Sequence, residues 1–97
     1  MLHNNQLTDV KGLEKLTQLT HLNLTSNKLT SVTGLENLTQ LTHLHLDSNK
    51  LIDVKGLEKL TQLTHLRLTS NPALTKAQID QLQKALPKCN IIHDAKK

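Results

Sequence analysis

Leucine residues return along this chain in a pattern that repeats every 22 positions. Residues 7–28, 29–50 and 51–72 align without a gap. The first and third blocks are identical at 19 of 22 positions, and the first and second at 17. Each block carries the spacing Leu-x-x-Leu-x-x-Leu-x-Leu-x-x-Asn, which in the first block runs from Leu16 to Asn27. A period this long indicates a supersecondary unit that buries its apolar side by stacking on its neighbours.

One segment of each block alternates apolar and polar residues, as a half-buried strand does. In residues 21–25 (His-Leu-Asn-Leu-Thr) the leucines are predicted to point inward and the other side chains outward. Each block therefore adds one strand to a parallel sheet, with about 4.8 Å between strands. The glycines at 12, 34 and 56 predict tight turns on the opposite side. The short Leu-Glu-x-Leu segments after them predict 3₁₀ turns.

This spacing resembles that of the leucine-rich repeat family. The 22-residue length and the Val-x-Gly-Leu-x-x-Leu return look most like the bacterial internalin-type repeat, and the resemblance covers residues 2 to about 94. It implies an α/β solenoid with a parallel sheet on the concave face and 3₁₀ turns on the convex face. It also implies that Asn27, Asn49 and Asn71, which follow the strands, hydrogen-bond buried backbone groups of the turns.

The residues after the third repeat predict a C-terminal capping helix. Thr75 and Gln78 have the spacing of a capping box, in which each residue bonds the backbone N–H of the other. Ile79, Leu82 and Leu86 then form one apolar helical stripe. We therefore expect a helix over residues 76–86.

A final strand is expected after this helix, over about residues 89–92. The spacing Leu-x-x-Cys-x-Ile at residues 86–91 matches Leu-x-x-Leu-x-Leu at residues 63–68. This match places Cys89 and Ile91 inward, and it puts Lys88 and Asn90 next to the outward residues of the third strand. A cysteine in a leucine column is predicted to be a buried structural thiol, because a reactive thiol needs exposure and positive neighbours.

The whole chain is expected to form one domain over residues 1–97. It comprises a partial repeat (1–6), the three repeats, a cap (73–94) and a short tail (95–97). We recognise no capping segment before the first repeat, although solenoids normally need polar caps at both ends. Leu2, Leu7 and Val10 are therefore expected to face water and to support self-association. A fragment of a longer protein, an engineered or duplicated array, and an end-to-end homodimer all fit this pattern.

The outward residues of the strands form the candidate binding surface, here called the sheet face. It comprises His21, Asn23, His43, His45, Asp47, His65 and Arg67. Position 23/45/67 is the only one at which all three blocks differ. Such variation is expected of a recognition surface, and drift at a solvent-exposed position explains it equally. The family resemblance implies protein binding through these strands.

One histidine recurs in every block, at positions 21, 43 and 65. Strand stacking places these rings about 5 Å apart, with His45 and Asp47 on the same face. Three imidazoles and a carboxylate raise metal binding as an alternative function. A flat row does not converge on one point as metal ligands must, so no metal or cofactor is assigned. Repulsion between protonated rings predicts that some of these histidines have a pKa below the usual ~6.5.

Composition excludes several classes of function. The chain contains no Phe, Tyr or Trp, one Cys and a net charge of +4. Without aromatic side chains to stack on bases, and without a dense basic stripe, nucleic-acid binding is not expected. No apolar run is long enough to span a membrane and no signal-peptide pattern is present, and no compartment is indicated. No nucleophile–base set, phosphate loop or His-Glu-x-x-His motif is found, so the chain is not expected to be an enzyme.

The leading hypothesis is a non-enzymatic module that binds a protein partner through the sheet face, with Arg67 as the main energetic contact. Four strands of five residues present only about 300 Å², against about 800 Å² per partner in a standard interface. Tight binding therefore requires flanking repeats or self-association. The alternatives are an engineered or duplicated scaffold that self-associates through its N-terminal end without a native ligand, and metal binding by the histidines.

Overall fold

Each repeat contributes one turn and one strand to a continuous solenoid. The computed structural model describes residue 10 and residues 12–95. Its four parallel strands lie side by side in chain order: β1 (His21–Asn23), β2 (His43–His45), β3 (His65–Arg67) and β4 (Asn90–Ile92). The first three strands are preceded by 3₁₀ turns at Leu13–Lys15, Leu35–Asn37 and Leu57–Lys59, and β4 is preceded by helix α1 (Lys76–Ala85). The predicted leucine-rich repeat architecture is confirmed.

The strands pair without offset, so equivalent positions of successive repeats lie opposite one another. Leu22 pairs with Leu44, and Leu44 pairs with Leu66. These three leucines point into a core of aliphatic side chains and one cysteine, where each is at most 4% exposed. Leucine therefore stacks on leucine along the axis of the solenoid, which is the packing that the 22-residue period requires.

The glycine of each repeat starts the turn opposite the sheet. Gly34 has a φ of 107°, a left-handed conformation that a residue with a side chain rarely adopts. A Cβ at this position would also lie 3.1 Å from Cγ2 of Val10. The Gly34 N–H donates to Oε1 of Glu36 at 2.7 Å. The backbone N–H of Glu36 itself, and then this bond from Gly34, lower the pKa of that carboxyl.

A column of buried asparagines joins each turn to the preceding one. Nδ2 of Asn49 donates to the carbonyl oxygens of Leu46 in its own repeat and of Leu24 in the repeat before, both at 3.0 Å. Oδ1 of Asn49 accepts the N–H of Leu29 at 3.1 Å. Asn71 makes the equivalent bonds one repeat later. These amides satisfy buried backbone groups that no strand or helix pairs.

Helix α1 closes the C-terminal end as the capping box predicts. Oγ1 of Thr75 accepts the N–H of Gln78 at 3.2 Å, and Oε1 of Gln78 accepts the N–H of Thr75 at 2.9 Å. Ile79 and Leu82 are buried against the last repeat. The helix ends at Ala85, one residue before the expected boundary.

Within the described residues no helix is long and apolar enough to cross a membrane.

The predicted register of the last strand is wrong. Ile91, rather than Cys89, pairs with Leu66, and Asn90 lies beside His65. Cys89 instead repeats the position of Leu63: its N–H bonds the carbonyl of Leu86 as the N–H of Leu63 bonds that of Leu60. The α-helical cap is longer than a 3₁₀ turn, so 25 residues separate Leu66 from Ile91 where 22 separate Leu44 from Leu66. Cys89 is nevertheless buried, and burial raises the pKa of its thiol.

The N-terminal end also differs from expectation. Val10 is 2% exposed and belongs to the core, so the expectation that it faces water is wrong. Leu2 and Leu7 lie outside the described residues. Leu16 is 46% exposed, whereas Leu38 and Leu60, its equivalents in the next repeats, are fully buried. The apolar surface at this end of the described chain is therefore led by Leu16, with Leu13 and Leu19 only partly buried beside it.

Replacing a central asparagine should destabilise the whole solenoid. Asn49→Ala leaves the N–H of Leu29 buried without its partner and removes one of the two side-chain donors to the carbonyl of Leu24, which keeps Asn27. The free energy of unfolding should fall by about 2 kcal/mol. Urea denaturation followed by circular dichroism measures this, since the chain has no Trp or Tyr to report by fluorescence. The exposed neighbour provides the control: Lys50→Ala should stay within about 0.5 kcal/mol of wild type. Equal losses in both variants would contradict the bridging role of Asn49.

Candidate functional site

All seven residues of the sheet face lie on the same side of the sheet or at its border. The strands themselves carry His21, Asn23, His43, His45, His65 and Arg67, and Asp47 follows β2. Register places Asn23 beside His45 and His45 beside Arg67. The corrected register of β4 adds Asn90 beside His65 and Ile92 beside Arg67, in place of the expected Lys88 and Asn90. Ile92 is 38% exposed, so Arg67 has an apolar neighbour at the edge of the sheet.

The three recurring histidines form a stacked row, called the histidine row (His21, His43 and His65). The ring centroids of His21 and His43 are 4.2 Å apart with 10° between their planes. Those of His43 and His65 are 4.5 Å apart with 9° between their planes. Nearly parallel rings direct their lone pairs side by side rather than towards one point. Among the residues that the structure describes, no three His, Cys, Asp or Glu side chains are grouped to hold a metal ion.

The threonines before His43 and His65 indicate which nitrogen of each ring carries the proton. Oγ1 of Thr42 lies 2.9 Å from Nδ1 of His43 and donates its only proton to the carbonyl of Thr20 at 3.1 Å. Because the carbonyl of Thr20 can only accept, we infer that Nδ1 of His43 is the donor in the Thr42–His43 bond. Thr64 binds His65 and the carbonyl of Thr42 in the same way, at 3.0 and 3.2 Å.

Neutral His43 and His65 are therefore Nδ1–H tautomers, and their unprotonated nitrogen is Nε2. The sequence analysis missed this role of the threonines, although a Thr-His pair in every block was the available signal. The consequence is chemical: at neutral pH these two rings offer hydrogen-bond acceptors, and not donors, at Nε2.

The middle of the histidine row resists protonation. Partial burial between its neighbours lowers the pKa of His43, and the positive charges of His21, His65 and His45 lower that pKa further. This confirms for His43 the depressed pKa that the sequence predicts. The row is therefore uncharged at its centre at neutral pH.

Asp47 and Arg67 form an ion pair that the sequence analysis did not identify. Nε of Arg67 donates to Oδ2 of Asp47 at 2.8 Å. Oδ1 of Asp47 accepts the N–H of Thr69 at 2.8 Å, which fixes the carboxylate. The Arg67 side chain is 42% exposed, and its Nη groups make no hydrogen bond to the described part of the chain. The pair thus holds a guanidinium in place with two donor groups directed to solvent.

Two open depressions mark the surface of the described chain. One of about 230 Å³ lies on the sheet face and is lined by His21, Leu22, Asn23, His43 and His45. The other, of about 360 Å³, lies between the last 3₁₀ turn and α1, with Asp53, Lys55 and Glu58 on one side.

The tautomer of the histidine row can be observed directly. At pH 8, nitrogen-15 NMR should show Nδ1 protonated and Nε2 unprotonated in His43 and His65, because each Nδ1 donates to a threonine. Thr42→Val removes the acceptor of His43 and should release that ring from its tautomer, while His65 keeps its own. An Nε2–H signal from His65 in the wild-type protein would refute the assignment.

Stability should fall on mild acidification. The folded pKa of His43 lies below its unfolded value of about 6.5, so below this pH the unfolded chain binds more protons and is favoured. We expect the melting temperature to decrease as the pH falls from 7.5 to 5.5, and His43→Gln to reduce this decrease. Thermal denaturation by circular dichroism provides the measurement. The pKa of Glu36 is also lowered, but its effect appears below pH 4.5 and is separable. A decrease of the same size in wild type and variant would contradict the role of His43.

Comparison with known proteins identifies the repeats. The sequence matches the family model for leucine-rich repeats (two copies) over residues 1–37 and 39–84. No protein with a curated description matches the sequence. The functional domain of InlJ from Listeria monocytogenes, described as including a cysteine ladder, is 40% identical, with a TM-score of 0.79 over 96% of this chain and 19% of that one.

Two further structures extend the similarity. A leucine-rich repeat protein of Leptospira interrogans is 30% identical, with a TM-score of 0.78 over 89% of this chain and 22% of that one. Internalin C2 from Listeria monocytogenes is 27% identical, with a TM-score of 0.78 over 97% of this chain and 42% of that one. The chain spans less than half the length of each of these structures. Since the family model covers most of the sequence, the chain belongs to the leucine-rich repeat family, with repeats of the internalin type.

Proposed function

We propose that this chain is a non-enzymatic module that binds a protein partner through the sheet face. Leucine-rich repeats generally mediate protein–protein interaction, and the internalin neighbours support that general assignment. The finer assignment, to the seven residues of the sheet face, rests on the geometry of this chain. His21, Asn23, His43, His45, Asp47, His65 and Arg67 carry the proposal.

The Asp47–Arg67 pair is the observation that supports this surface most strongly. Both residues depart from the repeat: Thr25 and Thr69 stand at the positions equivalent to Asp47, and Asn23 and His45 at those equivalent to Arg67. The equivalent positions one repeat earlier hold Thr25 and His45, which cannot form such an ion pair, and β1 and β2 still pair in the same register as β2 and β3. The scaffold therefore does not require the pair. The two residues that differ from the repeat therefore contact each other at 2.8 Å and hold an exposed guanidinium in place. Such a group suits a role in recognition.

The size of the surface sets how tightly it binds. The strands present about 300 Å², well below the roughly 800 Å² per partner of a standard interface. Relatives of known structure are more than twice as long as this chain. We infer that flanking repeats would extend the surface, and that the described part alone binds its partner weakly.

Self-association is a second candidate, supported by Leu16. This leucine is 46% exposed, and its equivalents in the two following repeats are fully buried. A second molecule covering this end would bury Leu16 as a preceding repeat would. Light scattering with refractive-index detection tests the candidate. A dimer mass that Leu16→Lys converts to a monomer supports it, and a monomer at all concentrations rejects it.

Crosslinking from defined positions tests the binding surface. A photo-crosslinking residue in place of Asn23 should capture a partner from cell extracts, whereas the same residue in place of Lys55, which lies outside the sheet face, should not. For the captured partner, Arg67→Ala should raise Kd by about fivefold or more, a loss above about 1 kcal/mol. Lys50→Ala is the matched control and should leave Kd unchanged. Capture from position 55 alone, or an unchanged Kd for Arg67→Ala, would reject the proposal.

A further inference from the structure

The charges on the sheet face depend on pH to an unusual degree. Its permanent charges are Asp47 and Arg67, which neutralise each other at 2.8 Å. The remaining ionisable groups on strands β1 to β3 are four histidines: His21, His43, His45 and His65. Strand β4 contributes only Asn90, Ile91 and Ile92, which carry no charge. Beyond it Asp94 adds one carboxylate at the border of the face, where Oδ1 accepts the N–H of Ser70 at 3.0 Å. The surface is therefore close to neutral at pH 7.5 and becomes strongly cationic as the histidines bind protons.

Because of the threonine contacts, protonation changes the hydrogen-bonding character of the histidine row as well as its charge. In the neutral rings of His43 and His65, Nδ1 is committed to a threonine and Nε2 is an acceptor. A carboxylate oxygen, itself an acceptor, gains nothing from such a ring. Protonation adds a hydrogen at Nε2 and leaves the bond to threonine in place. The same atom then becomes a charged donor, which is the group that a carboxylate binds best.

The spacing of the row suits a carboxylate. Neighbouring rings lie 4.2 and 4.5 Å apart and are parallel within 10°. A carboxylate in front of the row can therefore accept from two adjacent Nε2–H groups. It would also relieve the repulsion between neighbouring protonated rings. The exposed Nη groups of Arg67 provide a further donor site on the same face.

We propose that the sheet face binds a carboxylate-bearing segment of a protein partner, and that the histidine row takes up protons on binding, so that binding strengthens as the pH falls. This deepens the proposed function, and rests on it, by naming the chemistry of the partner and the condition for binding. A nucleic acid is the less suitable polyanion, because the chain offers no aromatic side chain for base stacking.

The thermodynamic linkage between proton binding and carboxylate binding gives the direction in which affinity changes with pH. A bound carboxylate favours the protonated rings, so the complex holds more protons than the free protein. Affinity must then rise as the pH falls through the range in which the free histidines titrate. Each proton taken up changes Kd by up to about tenfold per pH unit. The carboxylates of an Asp peptide, with a pKa of about 3.9, keep their charge over this range.

A short synthetic peptide is the probe. Fluorescence anisotropy of a labelled peptide of alternating Asp and Gly should give a Kd about tenfold or more lower at pH 5.5 than at pH 7.5. The same peptide with Asn in place of Asp should not bind at either pH. Calorimetry in two buffers of different ionisation enthalpy should show proton uptake at pH 6.5. A single-stranded oligonucleotide of equal charge that binds more tightly than the Asp peptide would overturn the choice of partner.

Matched variants separate the row from general electrostatic attraction. In the double variant His43→Gln/His65→Gln, the ratio of Kd values between pH 7.5 and 5.5 should shrink to about threefold or less, with proton uptake reduced in parallel. Lys50→Gln removes a full positive charge outside the sheet face and should leave the ratio intact. A ratio that survives the double variant, or that Lys50→Gln lowers equally, would overturn the proposal. Circular dichroism checks that each variant is folded.

The two proposals fail in different ways. If crosslinking from position 23 identifies a partner but the Asp peptide shows no pH dependence, the carboxylate switch is wrong and the binding surface stands. If the partner is captured from position 55 alone, the binding surface is wrong, and with it the switch that rests on it.

Discussion

The hydrogen bonds of Asn49 and Asn71 tie each turn of the solenoid to the one before it. Each amide reaches the carbonyl of a leucine in its own repeat and of a leucine in the preceding repeat. One bridge in every 22 residues holds the backbone directly after each strand. The strands then pair without offset, and each side chain lies opposite its counterpart in the next repeat. The composition of the sheet face follows from this constraint.

Alignment of identical residues has opposite consequences inside and outside the sheet. Inside, leucine packs on leucine and the core needs no aromatic residue. Outside, histidine stacks on histidine, which is harmless for neutral rings and unfavourable for charged ones. Asp47 and Arg67 are exceptions to this alignment of identical residues, because each differs from its counterparts in the other repeats. Specific chemistry therefore arises where the repeat is broken, on a framework that the repeat makes rigid.

The sequence was sufficient for the architecture because the period encodes it. Strands, 3₁₀ turns, the asparagine column and the capping box all depend on spacing within one repeat, and spacing is visible in the chain. The register of β4 was not predictable in the same way, because α1 replaces a 3₁₀ turn and lengthens the connection to Ile91 by three residues. The burial of Val10 depends on the neighbouring turn, where Gly34 leaves room for it.

The candidate site was likewise predictable from the sequence only in part. Period-two alternation placed the seven residues of the sheet face on one side. It did not reveal the bond between Asp47 and Arg67, which runs diagonally across two strands. Nor did it reveal the proton on Nδ1 of His43, which follows from where the hydroxyl of Thr42 donates. Both are contacts between repeats that spacing along one strand does not describe.

The histidine row is in effect a short linear polyelectrolyte whose length is set by the number of repeats. The pKa of His43, which has a ring on either side, is lowered. In a longer array of the same repeat, interior rings would outnumber terminal ones, and the titration would broaden towards lower pH as the chain lengthened. Duplication of a repeat would thus alter the acid response of the surface as well as its area, without any change to a single residue.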